Sequence, residues 1–539
     1  MDDLVCRIVA AIVCACFYFA GTIKLVGAMQ QSGYRGGKFL RWFYHKRNKF
    51  ASRLLFLSVL SLVATAMFTL VFSFLGEMGA IAVSAAPYLF FCLLFYYSDR
   101  KYALKVDAVQ SGRWKRLCVG YLFVTAIVTF VVITACSTLS FALQTAPTWA
   151  KSMRYLPVCF MPILLPFALC AANAVLSLFE NARNRRFVKR AGQVLDESNA
   201  VRVGIVGSYG KTSVKNILKT ILSEKYEVVA SPASYNTPMG VAKTVTAAEF
   251  ASAQVFLCEM GARKQGDIRE LCDLVKPQYI AFTGVCAQHM QTFKTEETLL
   301  LTKCEALSSS AGVIVCGGEL KEKLASVQDR FTDEELKKCV FAGGATKVEM
   351  QAEQTKFTLT ICGEEAVIET SLLGDSAVEN IALAVRLAEA MGLSKEEILR
   401  GVKKLSPCEH RLQLLKSGGV NILDDAYNCN ERGAKIAIEA LKRFAGRKVV
   451  VTPGIVETGV LHEQINGELG KLLADPALDR VILVGETQVG VVKTAFLDAG
   501  GDKEKLSIVS TLSGAQELLK DYLLDGDTVL FMNDLPDIV

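Results

Sequence analysis

Val203-Gly-Ile-Val-Gly-Ser-Tyr-Gly-Lys-Thr-Ser213 is the stretch on which the fold turns. A β-branched run breaks into glycines and then into Lys211, Thr212 and Ser213, which predicts a strand, a tight turn and a helix start. Gly207 and Gly210 can take backbone angles closed to other residues, so successive N–H groups and the positive end of the next helix face an anion. Such a turn fits nucleotide phosphates. Gly207, Ser208 and Gly210 would form the cradle with Ser213, Lys211 would neutralise charge, and the Thr212 hydroxyl would hold Mg²⁺. A Walker-type spacing would place a glycine five residues before Gly210, but Ile205 stands there, so only the shorter G-x-x-G-K-[ST] form is present. The plain alternative is a strand-to-helix turn with no ligand.

Upstream of this stretch the chain changes character. Of its 539 residues 51% are hydrophobic, high for a soluble enzyme, and the excess lies near the N-terminus. Val5 to Val26, Leu54 to Leu75, Ala80 to Tyr97, Leu117 to Leu139 and Leu156 to Phe179 are each about long enough to cross a hydrocarbon core of roughly 30 Å as helix. The expected fold is therefore an α-helical transmembrane domain of five spans over 1–182, a basic linker over 183–199, and an α/β portion beyond. Arg35, Lys38, Arg41, Lys46, Arg47, Lys49 and Arg53 lie between spans one and two, and Arg100, Lys101, Lys105, Arg113, Lys115 and Arg116 between three and four. Positive loops stay in the cytoplasm, which puts the N-terminus outside and everything after Arg183 inside a plasma membrane. These clusters account for most of the net charge of +6 and suit anionic lipid headgroups, so no nucleic-acid partner is inferred. The 17 cysteines show neither C-x-x-C pairing nor a His/Cys cluster, so neither a disulfide framework nor a zinc site is indicated.

From Ala200 onward, strand-length apolar runs alternate with helix-period segments, at Val203 to Val206, Val255 to Glu259, Tyr279 to Thr283 and Gly312 to Val315. A second set follows Arg411, at Val420 to Leu423, Lys448 to Thr452, Arg480 to Val484 and Thr528 to Met532. The alternation predicts two α/β domains with parallel sheets, over 200–408 and 409–539. Ligand contacts in such sheets sit at strand ends. Glu259 ends its strand, within reach of an ion held by Thr212. His289 and Lys303 follow the next strand; a lone His is more often a surface or satisfied core residue, and a lone Lys usually a solvated one.

Eight motifs in order then carry a resemblance: GSYGKTS, Ser234-Tyr-Asn-Thr-Pro-Met-Gly240, CEMGARKQGDI, AQHMQTF, TKCEAL, Leu373-Gly-Asp-Ser-Ala-Val-Glu-Asn380, Glu409-His-Arg411 and Leu423-Asp-Asp-Ala-Tyr-Asn428. The series resembles the Mur ligases, and most of all the branch that joins D-alanyl-D-alanine to UDP-N-acetylmuramoyl-tripeptide. The resemblance implies a P-loop Mur-ligase central domain, a smaller Rossmann-like C-terminal domain, and an ATP- and Mg²⁺-dependent carbon–nitrogen ligase. A carboxylate takes the γ-phosphoryl group of ATP, and an amine then displaces phosphate from the acyl phosphate. It further implies that Lys211 is catalytic, that Thr212 and Glu259 hold one Mg²⁺, and that a CO₂-carbamylated Lys303 with His289 holds a second. Asn380 would meet the adenine, and Arg411 and Asp425 the nucleotide when the last domain closes.

The chain departs from that family in two places. Soluble members begin with a domain that grips the UDP end of the substrate, whereas here about twenty residues separate the last span from the phosphate turn, too few for a domain. The last strand runs into Asn533-Asp-Leu-Pro-Asp537 where the D-Ala-D-Ala-adding enzymes carry lysine and glycine. Three readings stay open on sequence: a ligase acting on a membrane-presented or lipid-linked cell-wall precursor, a membrane-anchored ligase still using the UDP-linked substrate, and a nucleotide-binding scaffold or transporter. The bilayer, a carboxylate-bearing envelope precursor and an amino acid or peptide amine are the partners expected of the first.

Overall fold

The computed structural model describes residues 3–45, 49–76, 79, 86, 88–94, 96, 97, 108–142, 145–147, 153–232, 235–286, 290–427, 429–456, 458–485 and 488–533. Two compact units divide between Arg185 and Arg186. Among the described residues, four helices are long and apolar enough to cross a membrane: Arg7–Gln31, Ala51–Val71, Gly112–Thr138 and Leu156–Glu197, the last continuing past Arg185. The remaining expected span, Ala80 to Tyr97, is described only in part, at 86, 88–94, 96 and 97, all helical, and is not among these four. The bundle is apolar on its outside as well as in its core. Phe56, Met67, Phe123, Leu178 and Phe179 are each more than 60% exposed, while Thr22, Thr69, Thr125 and Thr129 are buried. Buried hydroxyls bond back into their own helices, Thr22 to the Tyr18 carbonyl at 2.6 Å, Thr69 to Thr65 and Thr129 to Thr125 both at 2.7 Å. The first helix loses helical geometry at Thr22 (φ −127°, ψ 16°), whose hydroxyl also meets that of Tyr121 at 2.8 Å. The 183–199 stretch expected as a linker is instead helical as far as Glu197, since no proline interrupts it.

In the second unit, strands β1 (Val201–Val206), β2 (Val228–Ala230), β3 (Val255–Glu259), β4 (Tyr279–Phe282), β5 (Val313–Cys316) and β6 (Cys339–Phe341) form a parallel sheet in the order β2-β3-β1-β4-β5-β6. Helices cover both faces, and apolar clusters on either side bury β1 completely from Val203 onward. A strand buried on two faces reads as a continuous apolar run, which is why it was visible in the sequence. Next come β7 (Thr346–Met350), β8 (Thr355–Ile361) and β9 (Glu364–Thr370), an antiparallel sheet the sequence reading did not anticipate. Its signal is present: β8 and β9 alternate buried and exposed side chains and turn at Cys362-Gly363.

The last sheet runs β10-β11-β15-β12-β13-β14, from β10 (Gln413–Ser417), β11 (Val420–Asp425), β12 (Lys448–Thr452), β13 (Arg480–Val484), β14 (Leu506–Val509) and β15 (Thr528–Met532). Only β10 is antiparallel to its neighbour. Because β1 lies between β3 and β4, with Ile205 level with Glu259 and Val206 level with Phe282, the turn after β1 emerges between the ends of both neighbours.

Candidate active site

The turn Gly207–Gly210 is fixed by its surroundings. Gly207 has φ +150°, and a Cβ there would lie 2.0 Å from Thr283 Oγ1; Gly210 has φ +74°, and a Cβ there would lie 2.7 Å from Asn380 Oδ1. Thr283, just past β4, donates its hydroxyl to the Tyr209 carbonyl at 2.5 Å and the Val206 carbonyl at 3.2 Å. The helix Lys211–Leu222 starts at Gly210 without a side-chain cap, which leaves its first amides available to an anion. Lys211 Nζ bonds the carbonyls of Gly207 and Ser208, both at 3.0 Å. Burial lowers the Lys211 pKa, Glu259 opposes that and Arg411 adds to it. The Ser208 hydroxyl is buried without a hydrogen-bond partner among the described residues. An orphaned hydroxyl, uncapped amides and the half-buried lysine together fit phosphate oxygens.

Opposite the helix start, Glu259 at the end of β3 accepts from Thr212 Oγ1 at 3.0 Å and from Asn236 Nδ2 at 3.3 Å. Thr212 and Glu259 thus stand side by side as hard oxygen donors of the kind Mg²⁺ takes. Lys215 Nζ lies 3.3 Å from Glu259 Oε2, and both side chains are 3% exposed. Sequence reasoning missed Lys215, although it is one helical turn after Lys211 and so on the same face. Removing one member of a buried ion pair strands the other charge at about 3–5 kcal/mol. Lys215→Met is therefore expected to lower unfolding free energy by about 3 kcal/mol in denaturant titration, with Lys215→Met/Glu259→Gln recovering most of it.

Lys303, near the end of the helix Glu296–Cys304, is 3% exposed. Burial and the nearby Lys211 charge lower its pKa from 10.5 to about 7, against the pull of Asp267. His289 lies outside the described residues, as do Ser234 and Asn428 of the quoted motifs.

The C-terminal sheet brings further groups to the same place. A cavity of about 550 Å³ is lined by the phosphate turn, Glu259, Asn380, Arg411 and Asp425. Ser213 also lines it. Arg411 donates to the Tyr427 carbonyl at 2.9 Å and lies 4.5 Å over the Tyr427 ring. Its neighbours His410 and Leu412 are left-handed, at φ +58° and +47°, a strained connection held by two carboxylates. His410 Nδ1 is 2.7 Å from Asp424 Oδ2, and the Leu412 amide donates to Asp425 Oδ1 at 3.1 Å. Burial raises the Asp425 pKa to about 7, though the Arg411 charge opposes it. Arg432, in the first turn of the helix Glu431–Leu441, also lines the cavity and was not singled out by the sequence.

Comparison with known proteins gives the family and the fold. Residues 205–388 match the Mur ligase middle domain, and residues 410–533 match the Mur ligase, glutamate ligase domain. The UDP-N-acetylmuramoyl-tripeptide--D-alanyl-D-alanine ligase of Bacillus subtilis is 26% identical over 350 residues, covering 62% of this chain and 74% of its own. The enzyme of that name from Mycobacterium tuberculosis H37Rv is 27% identical over 356 residues, covering 61% and 69%. In fold, the chain is similar to MurF ligase from Thermotoga maritima in complex with ADP, with a TM-score of 0.58 at 23% identity over 65% of this chain and 80% of that one. From Ile205 to Asn533, through its middle and C-terminal domains, this chain belongs to the Mur ligase family of ATP-dependent acid–amino acid ligases.

Proposed function

We propose that the chain is a membrane-embedded ligase of peptidoglycan synthesis that joins an amino acid or peptide amine to a carboxylate presented at the cytoplasmic face of the membrane. The observation that carries the chemistry is the single cavity in which the Lys211 turn, the Thr212–Glu259 pair and the C-terminal residues Arg411 and Asp425 meet. Two anions, a carboxylate and a triphosphate, must be brought together there. Lys211 and the turn amides, with Gly207, Ser208, Gly210 and Ser213, hold phosphate oxygens and offset charge that builds during phosphoryl transfer. Mg²⁺, which the family uses with ATP, supplies further neutralisation and would be held by Thr212 and Glu259. Asn380 meets the adenine side, while Arg411 and Asp425 close over the nucleotide and exclude water from the acyl phosphate.

Lys303 fits the remaining role once its charge is reversed. With a pKa lowered to about 7, a large share of its buried amine is unprotonated near neutrality. Addition of CO₂ forms an N–C bond, releases one proton and leaves a carbamate, an anion suited to a second Mg²⁺, for which the family resemblance also names His289.

Location rests on the N-terminal unit. Exposed aromatic and aliphatic side chains surround its helices, while hydroxyls bond inward, as lipid demands. Arg183, Arg185, Arg186, Lys189 and Arg190 follow the last span, which favours a cytoplasmic ligase portion, and five spans place the N-terminus outside. Tethering enzyme and substrate to one surface raises their local concentration. A second reading, use of the soluble UDP-linked tripeptide with D-alanyl-D-alanine, is favoured by the names of the relatives. Purified full-length protein in lipid nanodiscs should turn over a lipid-linked muramoyl peptide at least about tenfold faster than its UDP-linked counterpart. Equal or better use of the UDP-linked peptide would replace the first reading with the second.

A further inference from the structure

Arg432 reaches out of its own domain with both terminal nitrogens, to Tyr209, Glu319 and Glu379, each in a segment framing the phosphate turn. One nitrogen reaches both carboxylate oxygens of Glu379, at 2.6 and 2.7 Å. Its other terminal nitrogen bonds the Tyr209 hydroxyl at 2.5 Å and the Glu319 carboxylate. The guanidinium carbon lies 5.1 Å from the Tyr209 ring centroid. Tyr209 belongs to the turn itself; Glu379 precedes Asn380, which packs against Gly210; Glu319 follows β5.

Both ends of this bridge are held. Tyr209 packs so closely on Gly284 that a Cβ there would lie 2.2 Å from its hydroxyl, and its carbonyl is bonded by Thr283. Arg432 sits two residues after the N-cap Asn430, whose side chain accepts from the Gly433 amide at 2.8 Å. A planar, permanently charged fork that meets two carboxylates and a hydroxyl fixes orientation as well as distance, which a single lysine ammonium would not.

We propose that Arg432 is a positioning residue that clamps the C-terminal domain onto the phosphate turn through Tyr209, setting the alignment of the two halves of the cavity for phosphoryl transfer. The clamp rests on the ligase reading above for its consequence, although the clamp itself is measurable without turnover. The turn amides and Lys211 hold a diphosphate whether or not the clamp is made, so the clamp acts on the rate of transfer and not on nucleotide affinity.

The test uses full-length protein in nanodiscs. In Arg432→Gln and Tyr209→Phe, amide exchange across residues 207–210 should quicken about tenfold in the absence of nucleotide. The affinity for Mg·ADP should stay within about threefold, and kcat should fall about 10- to 100-fold. Arg432→Lys should recover only part of the rate and of the slow amide exchange. Unchanged exchange at 207–210 in Arg432→Gln, or parallel loss of ADP affinity and kcat, would overturn the proposal. Absence of amine-dependent ADP formation by the unaltered protein would overturn the ligase reading instead, with the exchange result still deciding the clamp.

Discussion

Lys211→Ala is expected to lower carboxylate- and amine-dependent ADP formation by about 10²–10³-fold, the loss that follows removal of one preorganised charge from a transition state in a water-poor site. Lys211 is half-buried, stands at the uncapped start of a helix, and is the side-chain cation hydrogen-bonded to the turn at Gly207 and Ser208. Its ammonium now bonds carbonyls that phosphate would displace. Lys520→Ala, an exposed substitution in the last turn of the helix Leu512–Tyr522, should leave the rate unchanged. Coupled-assay kinetics with a thermal melt separate the two effects, because Lys211→Ala should retain its fold. A turnover rate within threefold of the unaltered protein would remove Lys211 from the chemistry.

Lys303→Arg is expected to cost about 10²-fold or more, since an arginine cannot become a carbamate and keeps a positive charge where a metal-binding anion is needed. The pH dependence has a definite sign. Burial and Lys211 lower the folded-state pKa from 10.5 to about 7, so the folded protein binds fewer protons than the unfolded chain between those values. Stability from this group therefore rises with pH across that window, and the burial penalty is full below pH 7. CO₂ adds only to the free amine, so a ¹³C carbamate resonance after growth or exchange in ¹³C-bicarbonate should be strong at pH 8 and weak at pH 6. It should be absent in Lys303→Arg. A resonance that persists in Lys303→Arg, or one that strengthens as pH falls, would rule out this lysine as the carbamate.

What was legible in the sequence follows from burial. The boundaries of β3, β12, β13 and β15 were read to the residue, because strands covered on both faces admit no polar interruption and end abruptly at the ligand-facing edge. The three strands from Thr346 to Thr370 went unread, since a half-exposed alternating sheet gives a weaker signal than a continuous apolar run. The basic stretch expected as a linker over 183–199 is helical as far as Glu197, which charge alone does not prevent. The phosphate turn and Glu259 were legible because glycine, lysine and threonine at fixed spacing have a direct chemical reason. Lys215 and Arg432 were not: one pairs with a residue 44 positions away and the other reaches across to Tyr209, 223 positions away, and no local pattern encodes such contacts.

The central claim is that a carboxylate of the substrate receives a phosphoryl group at the Lys211 turn before an amine arrives. The direct measurement is to supply the acceptor with both carboxylate oxygens labelled with ¹⁸O, together with unlabelled ATP and the amine, and to determine the label in released phosphate. Attack of the carboxylate on the γ-phosphorus and later expulsion of phosphate by the amine transfers one carboxylate oxygen per turnover, so phosphate carrying a single ¹⁸O, equal in amount to the amide formed, is predicted. Unlabelled phosphate released alongside amide would contradict the account.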